Sequence, residues 1–469
     1  MDYDVVVIGA GAGGEAAGTL GAQLGGRIAV VERDLVGGIC SFWACMPSKS
    51  LLDSAGRRRI GADYPWSRAE ARRDWMISRE ETEYPSDAGH VAGLEAAGAE
   101  VIRGSARITG PGKVEVEVAG SGPGARTLEA RTLVVAVGSE PVIPPIDGLA
   151  ESGYWTSNEG TSLREIPSSI VVLGGGVVGV ELSQVYARFG VKTTLVEGND
   201  RVLPREHPRS SELVAAQLRE EGVELRTGVL AKAVRRGGAG REVELADGSK
   251  VEGAELLVAV GRRTADLRSL GVEEAGVELS DRGAVSPDER MRVAGAVYVA
   301  GDCAGGMQFT HVADYTGRIA ARNALGRDAV ADLSAVPRTS FTDPESSGVG
   351  STVEEARNRG IDAFEVTADF STSARGFTIE PRRDSKEAIR EGSPGHITAV
   401  VDRGRGVLVG AFAACPGASE LIHEAVLAVK LSIPVAVLAD TIHAFPTGAR
   451  VFGNVMAEAR DKLDSRAED

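Results

Sequence analysis

Val5-Val6-Val7-Ile8-Gly9-Ala10-Gly11-Ala12-Gly13-Gly14 and Ile170-Val171-Val172-Leu173-Gly174-Gly175-Gly176-Val177-Val178-Gly179 are two copies of one pattern. In each, an apolar run of strand character meets Gly-x-Gly-x-x-Gly. A helical stretch of small or apolar residues comes next, through Ala16, Ala17 and Gly18 in the first copy and from Leu182 to Phe189 in the second. A second apolar run succeeds it, Ile28–Val31 or Thr193–Val196, and ends on a carboxylate, Glu32 or Glu197, 23 positions beyond the first glycine in both copies. With 60 glycines in the chain, an isolated Gly-x-Gly-x-x-Gly would mean little. Flanked by strand, helix and acid, the glycines take on distinct physical roles. They allow a tight turn, close backbone approach to a pyrophosphate, and close helix–sheet packing. The carboxylate then accepts from ribose hydroxyls, with the pyrophosphate at the helix N-terminus. Two copies predict two dinucleotide sites, built on parallel sheets with right-handed crossovers.

Just beyond the first copy lies Gly37-Gly38-Ile39-Cys40-Ser41-Phe42-Trp43-Ala44-Cys45-Met46-Pro47-Ser48-Lys49-Ser50-Leu51-Leu52. It reads as a glycine turn entering a helix, with both sulfurs near the helix N-terminus, where partial positive charge favours a thiolate over a thiol. Taken alone, two cysteines at this spacing read more readily as small buried hydrophobes. A zinc site would require two further close Cys or His ligands, and Cys303 and Cys415 stand isolated. The neighbouring fingerprint points instead to redox or catalytic use.

The whole chain sets the bounds. Its 469 residues are enough for about two to four domains. A hydrophobic share of 43% and a charged share of 25% are those of a globular protein. The net charge is −15 and no basic run could follow a phosphate backbone, which argues against nucleic acid as a partner. Asp4 opens a strand at once, without the pattern of a signal peptide, and no apolar run reaches about 18 residues. The expectation is a cytoplasmic protein that does not enter membranes.

Further along, Val114–Val118 alternates strictly between apolar and charged residues and reads as a half-buried hairpin strand beside the loop Gly120–Gly124. Leu133–Val137 is apolar and ends at Gly138-Ser139; Leu256–Val260 ends at Gly261-Arg262-Arg263; Ala296–Ala300 ends at Gly301-Asp302. Asp302 suits either a ligand position at the C-terminal edge of a sheet or the cap of the next helix. From about residue 334 the character changes to α+β without a fingerprint. A short helix opens at Ser351–Ala356, two strands span 396–413 about Asp402-Arg403-Gly404, and helices fall near 419–431 and 452–463.

Cys40-x4-Cys45 with Pro47-Ser48-Lys49, the two fingerprints, Gly301-Asp302 and Phe341-Thr342-Asp343-Pro344 follow one another over essentially the whole length. In that order they resemble the FAD-dependent pyridine nucleotide–disulfide oxidoreductases, the family of dihydrolipoamide dehydrogenase, glutathione reductase and mercuric reductase. The resemblance implies an α/β fold with two Rossmann-like dinucleotide-binding domains and a C-terminal α+β dimerisation domain. The divisions are 1–150 for FAD, 151–275 for NAD, 276–333 returning to the FAD or central domain, and 334–469 for the homodimer interface. FAD is expected on Gly9, Gly11, Gly14 and Glu32, with Gly138, Gly261, Gly301, Asp302 and Lys49 as further cofactor-binding residues. A nicotinamide cofactor is expected on Gly174, Gly176, Gly179 and Glu197, with NAD preferred to NADP because Glu197 repels a 2′-phosphate; Arg201 stands close enough in sequence to weaken that preference. By the same resemblance Cys45 lies against the flavin, Cys40 is the thiol that meets substrate, and Lys49 pairs with Glu181.

Near the C-terminus the chain departs from the family. Members typically carry His-x-His-Pro-Thr with a Glu five residues after the second His; here the order is His443-Ala444-Phe445-Pro446-Thr447, and Arg450 replaces the Glu. Phe445 therefore stands where the general base stands in relatives, and His443 reads as structural. A ketone-carboxylating branch also has Phe at the base position, but with His rather than Arg in the Glu position. No cysteine pair ends the chain at Ser465–Asp469, which argues against a mercuric reductase or a high-molecular-weight thioredoxin reductase. His311 reads as a satisfied buried histidine, Cys303 and Cys415 as small core residues, and Trp43 as a cover or a gate over the cysteines. The leading expectation is an NADH-dependent flavoenzyme. It would move electrons through FAD to a Cys40–Cys45 disulfide and on to a small electrophile. Thiolate-based carbon chemistry, either C–S cleavage or ketone carboxylation, and a non-catalytic redox-sensing flavoprotein are the alternatives.

Overall fold

The computed structural model describes residues 1–79, 84–119, 125–238, 240–380 and 390–465. The expected loop Gly120–Gly124 and residues 466–469 of the tail lie outside these. The chain divides into two compact units, one of residues 1–47, 71–142 and 261–332, the other of residues 48–70, 143–260 and 333–469.

In the first unit a 7-stranded sheet carries parallel strands in the spatial order Glu100–Gly110, Ile28–Glu32, Tyr3–Ile8, Ala125–Val135, Val297–Val299. Side chains alternate across a strand, so Val6 and Ile8 enter one core while Val5 and Val7 enter another. Helices Ala12–Gln23 and Thr310–Ala324 bury Ala17, Ile319 and Ala320 in the second of these. The alternating Lys113–Val118 pairs antiparallel with both long neighbours, Val114 and Val116 buried and its charged residues outward.

The second unit repeats the parallel design in a 4-stranded sheet, Glu255–Val258, Ser169–Leu173, Lys192–Glu197, Glu224–Thr227. Ile170 and Val172 face one core, Val171 and Leu173 the other. The same unit contains a 5-stranded antiparallel sheet, including His396–Asp402 and Val407–Ala414. Helices Ala418–Leu431 and Gly448–Asp464 share its core through Ile422, Ala425, Phe452 and Met456. Thr352 caps the helix Val353–Asn358 in a reciprocal box with Glu355, as the Ser351–Ala356 pattern suggests.

Candidate active site

The two fingerprint loops make matching contacts. Gly9 and Gly174 have φ of +93° and +106°, values that L side chains rarely adopt. A methyl group on Gly14 would overlap the carbonyl oxygen of Gly9, and one on Gly179 that of Gly174. Gly11 and Gly176 occupy the N-cap positions of their helices without any side-chain cap, and a Cβ on either would meet nothing within 4 Å. Uncapped helical N–H groups beside an open cradle are what a pyrophosphate requires. Glu32 accepts from Ala10 N at 2.6 Å and Asp34 N at 2.8 Å. Glu197 accepts from Gly175 N at 2.5 Å and Asn199 N at 2.7 Å. Glu197 also accepts from Asn199 Nδ2 at 2.5 Å; with about four acceptor positions on an ionised carboxylate, Glu32 retains about two for ribose hydroxyls and Glu197 about one. The loops fit dinucleotides on these grounds.

The cysteine turn is fastened to the first loop. Gly37 N donates to Ala10 O at 2.7 Å, Gly37 bridges Gly11, and a Cβ on Gly38 would lie 2.7 Å from Gly11 Cα. The single helix expected here is two helices, Gly38–Trp43 and Cys45–Arg59, broken at Ala44. Pro47 is the reason: it lacks an N–H and is tolerated only in a first turn, which a fresh start at Cys45 provides. Cys45 thus opens the longer helix, whereas Cys40 sits in the short one. Thr310, the first residue of helix Thr310–Ala324, brings its hydroxyl to both sulfurs, 3.0 Å from Cys40 Sγ and 3.4 Å from Cys45 Sγ.

Around the same sheet edge, Gly138, Ser139, Gly261, Arg262, Gly301 and Asp302 converge. Strand Arg262–Thr264 pairs with Ser139–Pro141, and Val142 N donates to Gly261 O at 2.9 Å. Ser139 Oγ donates to Asp302 at 2.5 Å, while Arg262 donates to Ser139 Oγ at 2.8 Å and to its carbonyl at 2.6 Å. Burial holds Arg262 below the usual guanidinium range, opposed by Asp302, Glu140 and Cys45. Asp302 lies in the 3-10 turn Gly301–Ala304, and the following helix is N-capped by Phe309, so Asp302 is not its cap.

In the second unit Lys49 Nζ meets Glu181 Oε2 at 2.7 Å, and Phe341 N donates to the other oxygen at 2.8 Å. Glu181 is 2% exposed, and the Phe341 ring lies 5.0 Å from the ammonium. Phe445 is 74% exposed. Arg450 is exposed too, its backbone N–H capped by Thr447 Oγ1. The His443 side chain is 5% exposed, its Nε2 held by both oxygens of Glu424 at 2.9 and 3.1 Å, with Nδ1 buried and unpartnered. That is a structural setting. His311 corrects an expectation: it is exposed and stacked on Phe309 at 5.2 Å, because the buried face of its helix belongs to Val312, Ala313 and Thr316. Cys303 and Cys415 are fully buried, and burial pushes their thiols up to about 11 and about 12.

Three contributors are not evident from the sequence: Thr310, Ser139 and Arg262. Arg262 follows a glycine that the sequence singles out. Thr310 stands beside the histidine that draws attention to its segment.

The profile described as pyridine nucleotide-disulphide oxidoreductase matches residues 3–317, and that of the family's dimerisation domain matches residues 336–456. The chain belongs to the pyridine nucleotide–disulphide oxidoreductase family. Like its relatives it is an enzyme; the family binds FAD and uses NAD(P)H. A dihydrolipoyl dehydrogenase of Thermus scotoductus is 36% identical over 99% of this chain and 98% of its own. A mercuric reductase of Streptomyces lividans is 34% identical over 95% and 94%. Among solved structures, the HOCl-induced flavoprotein disulfide reductase RclA from Escherichia coli has a TM-score of 0.84 at 26% identity, covering 97% of this chain and 99% of that one. LpdA from Mycobacterium tuberculosis has a TM-score of 0.85 at 28% identity over the same shares. The dimerisation domain supports a homodimer. No helix among the described residues is long and apolar enough to cross a membrane.

Proposed function

We propose that this flavoprotein uses NADH to reduce a small electrophilic substrate through the Cys40–Cys45 pair, acting as a cytoplasmic homodimer. The supporting observation is the fastening of the Cys40 turn to the first fingerprint loop through Gly37 N and Ala10 O, which brings the thiol-bearing segment to a dinucleotide site. FAD, when bound, supplies two-electron redox chemistry between a nicotinamide and a thiol pair. The residues that would hold it are Gly9, Gly11, Gly14, Glu32, Gly138, Gly261, Gly301 and Asp302, with Lys49 contributing its ammonium. Gly174, Gly176, Gly179 and Glu197 would hold NAD. Functional divisions at 1–150, 151–275, 276–333 and 334–469 accord with this use.

Cys40 is the nucleophile toward substrate and Cys45 the sulfur nearer the cofactor. Glu181 orients Lys49 through one carboxylate oxygen while the other accepts from Phe341 N. Phe445 cannot accept a proton, and Arg450 is cationic at any usable pH. A positioned base contributes about 10²–10⁴-fold to proton transfer, so dithiol oxidation is the disfavoured direction. Reduction is less affected, because a thiolate attacks without removing a proton from substrate.

Three measurements test this. Anaerobic NADH should expose two additional titratable thiols per chain; an unchanged thiol count while NADH is consumed would refute the role of the pair. Steady-state NADH oxidation with disulfides, quinones and thioether ketones then sorts substrates and separates reduction from C–S cleavage. Dihydrolipoamide oxidation should be slower than in members carrying the His–Glu pair by about 10²–10⁴-fold, and Phe445→His with Arg450→Glu should recover part of it.

A further inference from the structure

Thr310 brings a single hydroxyl within reach of both sulfurs. A threonine hydroxyl has one proton to donate and two lone pairs to accept with. Two sulfurs that share one proton between them, one thiol and one thiolate, match that hydroxyl in both of its roles. The thiol donates to Oγ1, and Oγ1–H donates to the thiolate. Thr310 is also the first residue of a 15-residue helix whose N-cap, Phe309, offers no side-chain bond. Helical N–H groups at that end add positive potential beside the hydroxyl. The half-buried setting strengthens a hydrogen bond to charge relative to water.

We propose that Thr310 is a catalytic residue that relays the shared proton between Cys40 and Cys45, stabilising whichever sulfur is the thiolate. The step balances simply. The S–H bond of one cysteine breaks as Oγ1 takes its proton, and the Oγ1–H bond breaks as the other sulfur takes that one. No electrons change hands, the threonine ends neutral, and the negative charge has moved from one sulfur to the other. Such a relay supplies locally what Phe445 cannot: a way to leave Cys40 deprotonated for attack on substrate, with the proton held on Cys45 until the substrate's leaving group takes it as Cys45 closes on Cys40. The inference rests on the Cys40–Cys45 reading above.

The test uses FAD-loaded protein reduced with dithiothreitol, desalted anaerobically, and alkylated with iodoacetamide across pH, each cysteine being followed by peptide mass spectrometry. A hydrogen bond to a thiolate lost in Thr310→Val should raise the pH midpoint of Cys40 alkylation by about one unit, a tenfold loss of thiolate on the acid side. Thr310→Ser should restore the wild-type midpoint. Thr310→Ala provides the same deletion should the valine variant fold poorly, and a normal FAD content verifies each fold. An unchanged midpoint in Thr310→Val and Thr310→Ala, or Thr310→Ser behaving like them, would overturn the relay. NADH reduction of wild type, run beside it, reports on the pair itself: thiols that appear with dithiothreitol but not NADH count against the redox reading while leaving the midpoint shift to judge Thr310.

Discussion

The two fingerprint loops are nearly the same object in different surroundings. In both, the residue after the first glycine donates to the carboxylate at the end of the second strand, and the residue two beyond that carboxylate donates to its other oxygen. The copies part after that carboxylate. Beyond Glu32 the chain turns back through Gly37 and Gly38 onto Gly11 and delivers Cys40. Beyond Glu197 it places Leu203, whose N–H donates to Gly175 O at 2.8 Å, and then starts the helix Pro208–Glu220. A shared nucleotide scaffold is thus specialised by a few residues after the second strand. One copy leads into the cysteine turn, and the other into a supporting helix.

The largest expected effect separates the copies outright. Gly14→Ala and Gly179→Ala introduce the same methyl against the same carbonyl. The first should yield protein that retains little or no FAD. The second should stay yellow, reduce normally with dithionite, and lose at least about a hundredfold in NADH-dependent reduction, about 2.7 kcal/mol. Flavin absorbance and anaerobic reduction measure both. Loss of FAD in Gly179→Ala would show that the copies are not independent.

Acid should distinguish the surroundings next. His207 caps the helix after the second copy, accepting from Arg209 N at 3.2 Å through Nδ1, and its ring lies 5.3 Å from that of His396. His396 is buried, bonded to Ser210 at 2.9 Å and Thr398 at 2.9 Å, and its pKa is pushed down to about 3 by burial, aided by His207 and Arg209 against Glu365 and Asp369. A histidine depressed in the folded state contributes its full stability above its unfolded value, about 6.5. That contribution is lost as pH falls toward about 3, because the unfolded chain takes the proton first. At pH 5 the loss is about 2 kcal/mol. Urea denaturation of wild type and His396→Gln at pH 7.5 and pH 5 should show their difference narrowing by that amount. A constant difference would mean that folding does not shift the titration of His396.

Much of this was legible in the sequence. The fingerprints, their acids, the strand order within each copy and the Lys49–Glu181 pair rest on short local patterns or on family order. Two kinds of feature were not. The break at Ala44 depends on which turn can accommodate Pro47, a choice between two helix starts that spacing alone leaves open. Thr310 lies 265 residues beyond Cys45, and only the packing of its helix against the sheet brings its hydroxyl to the sulfurs. His311 misled for the reverse reason: adjacency to a buried helix face says nothing about which neighbour takes that face.

The smallest expected effect concerns cofactor choice, and it sharpens the comparison at Glu197. That carboxylate is 8% exposed and already bonded to Gly175 and Asn199, so Glu197→Gln keeps the shape while removing the charge. A hydrogen bond to a charged group contributes about 1.5–3 kcal/mol. Some of that is retained by the amide oxygen, so KM for NADH should rise about tenfold, with little change for NADPH because repulsion of its 2′-phosphate is relieved. Arg201 is the residue that could reverse the preference, and its guanidinium is turned to the chain itself, donating to Pro204 O at 2.8 Å and Glu206 O at 3.4 Å. Arg201→Ala should therefore leave the ratio of kcat/KM for NADH and NADPH within about twofold of wild type, below about 0.5 kcal/mol. Should Arg201→Ala cut NADPH turnover selectively, the guanidinium reaches the 2′-phosphate when cofactor binds. In that case the second copy is specialised by its cation as well as by its acid.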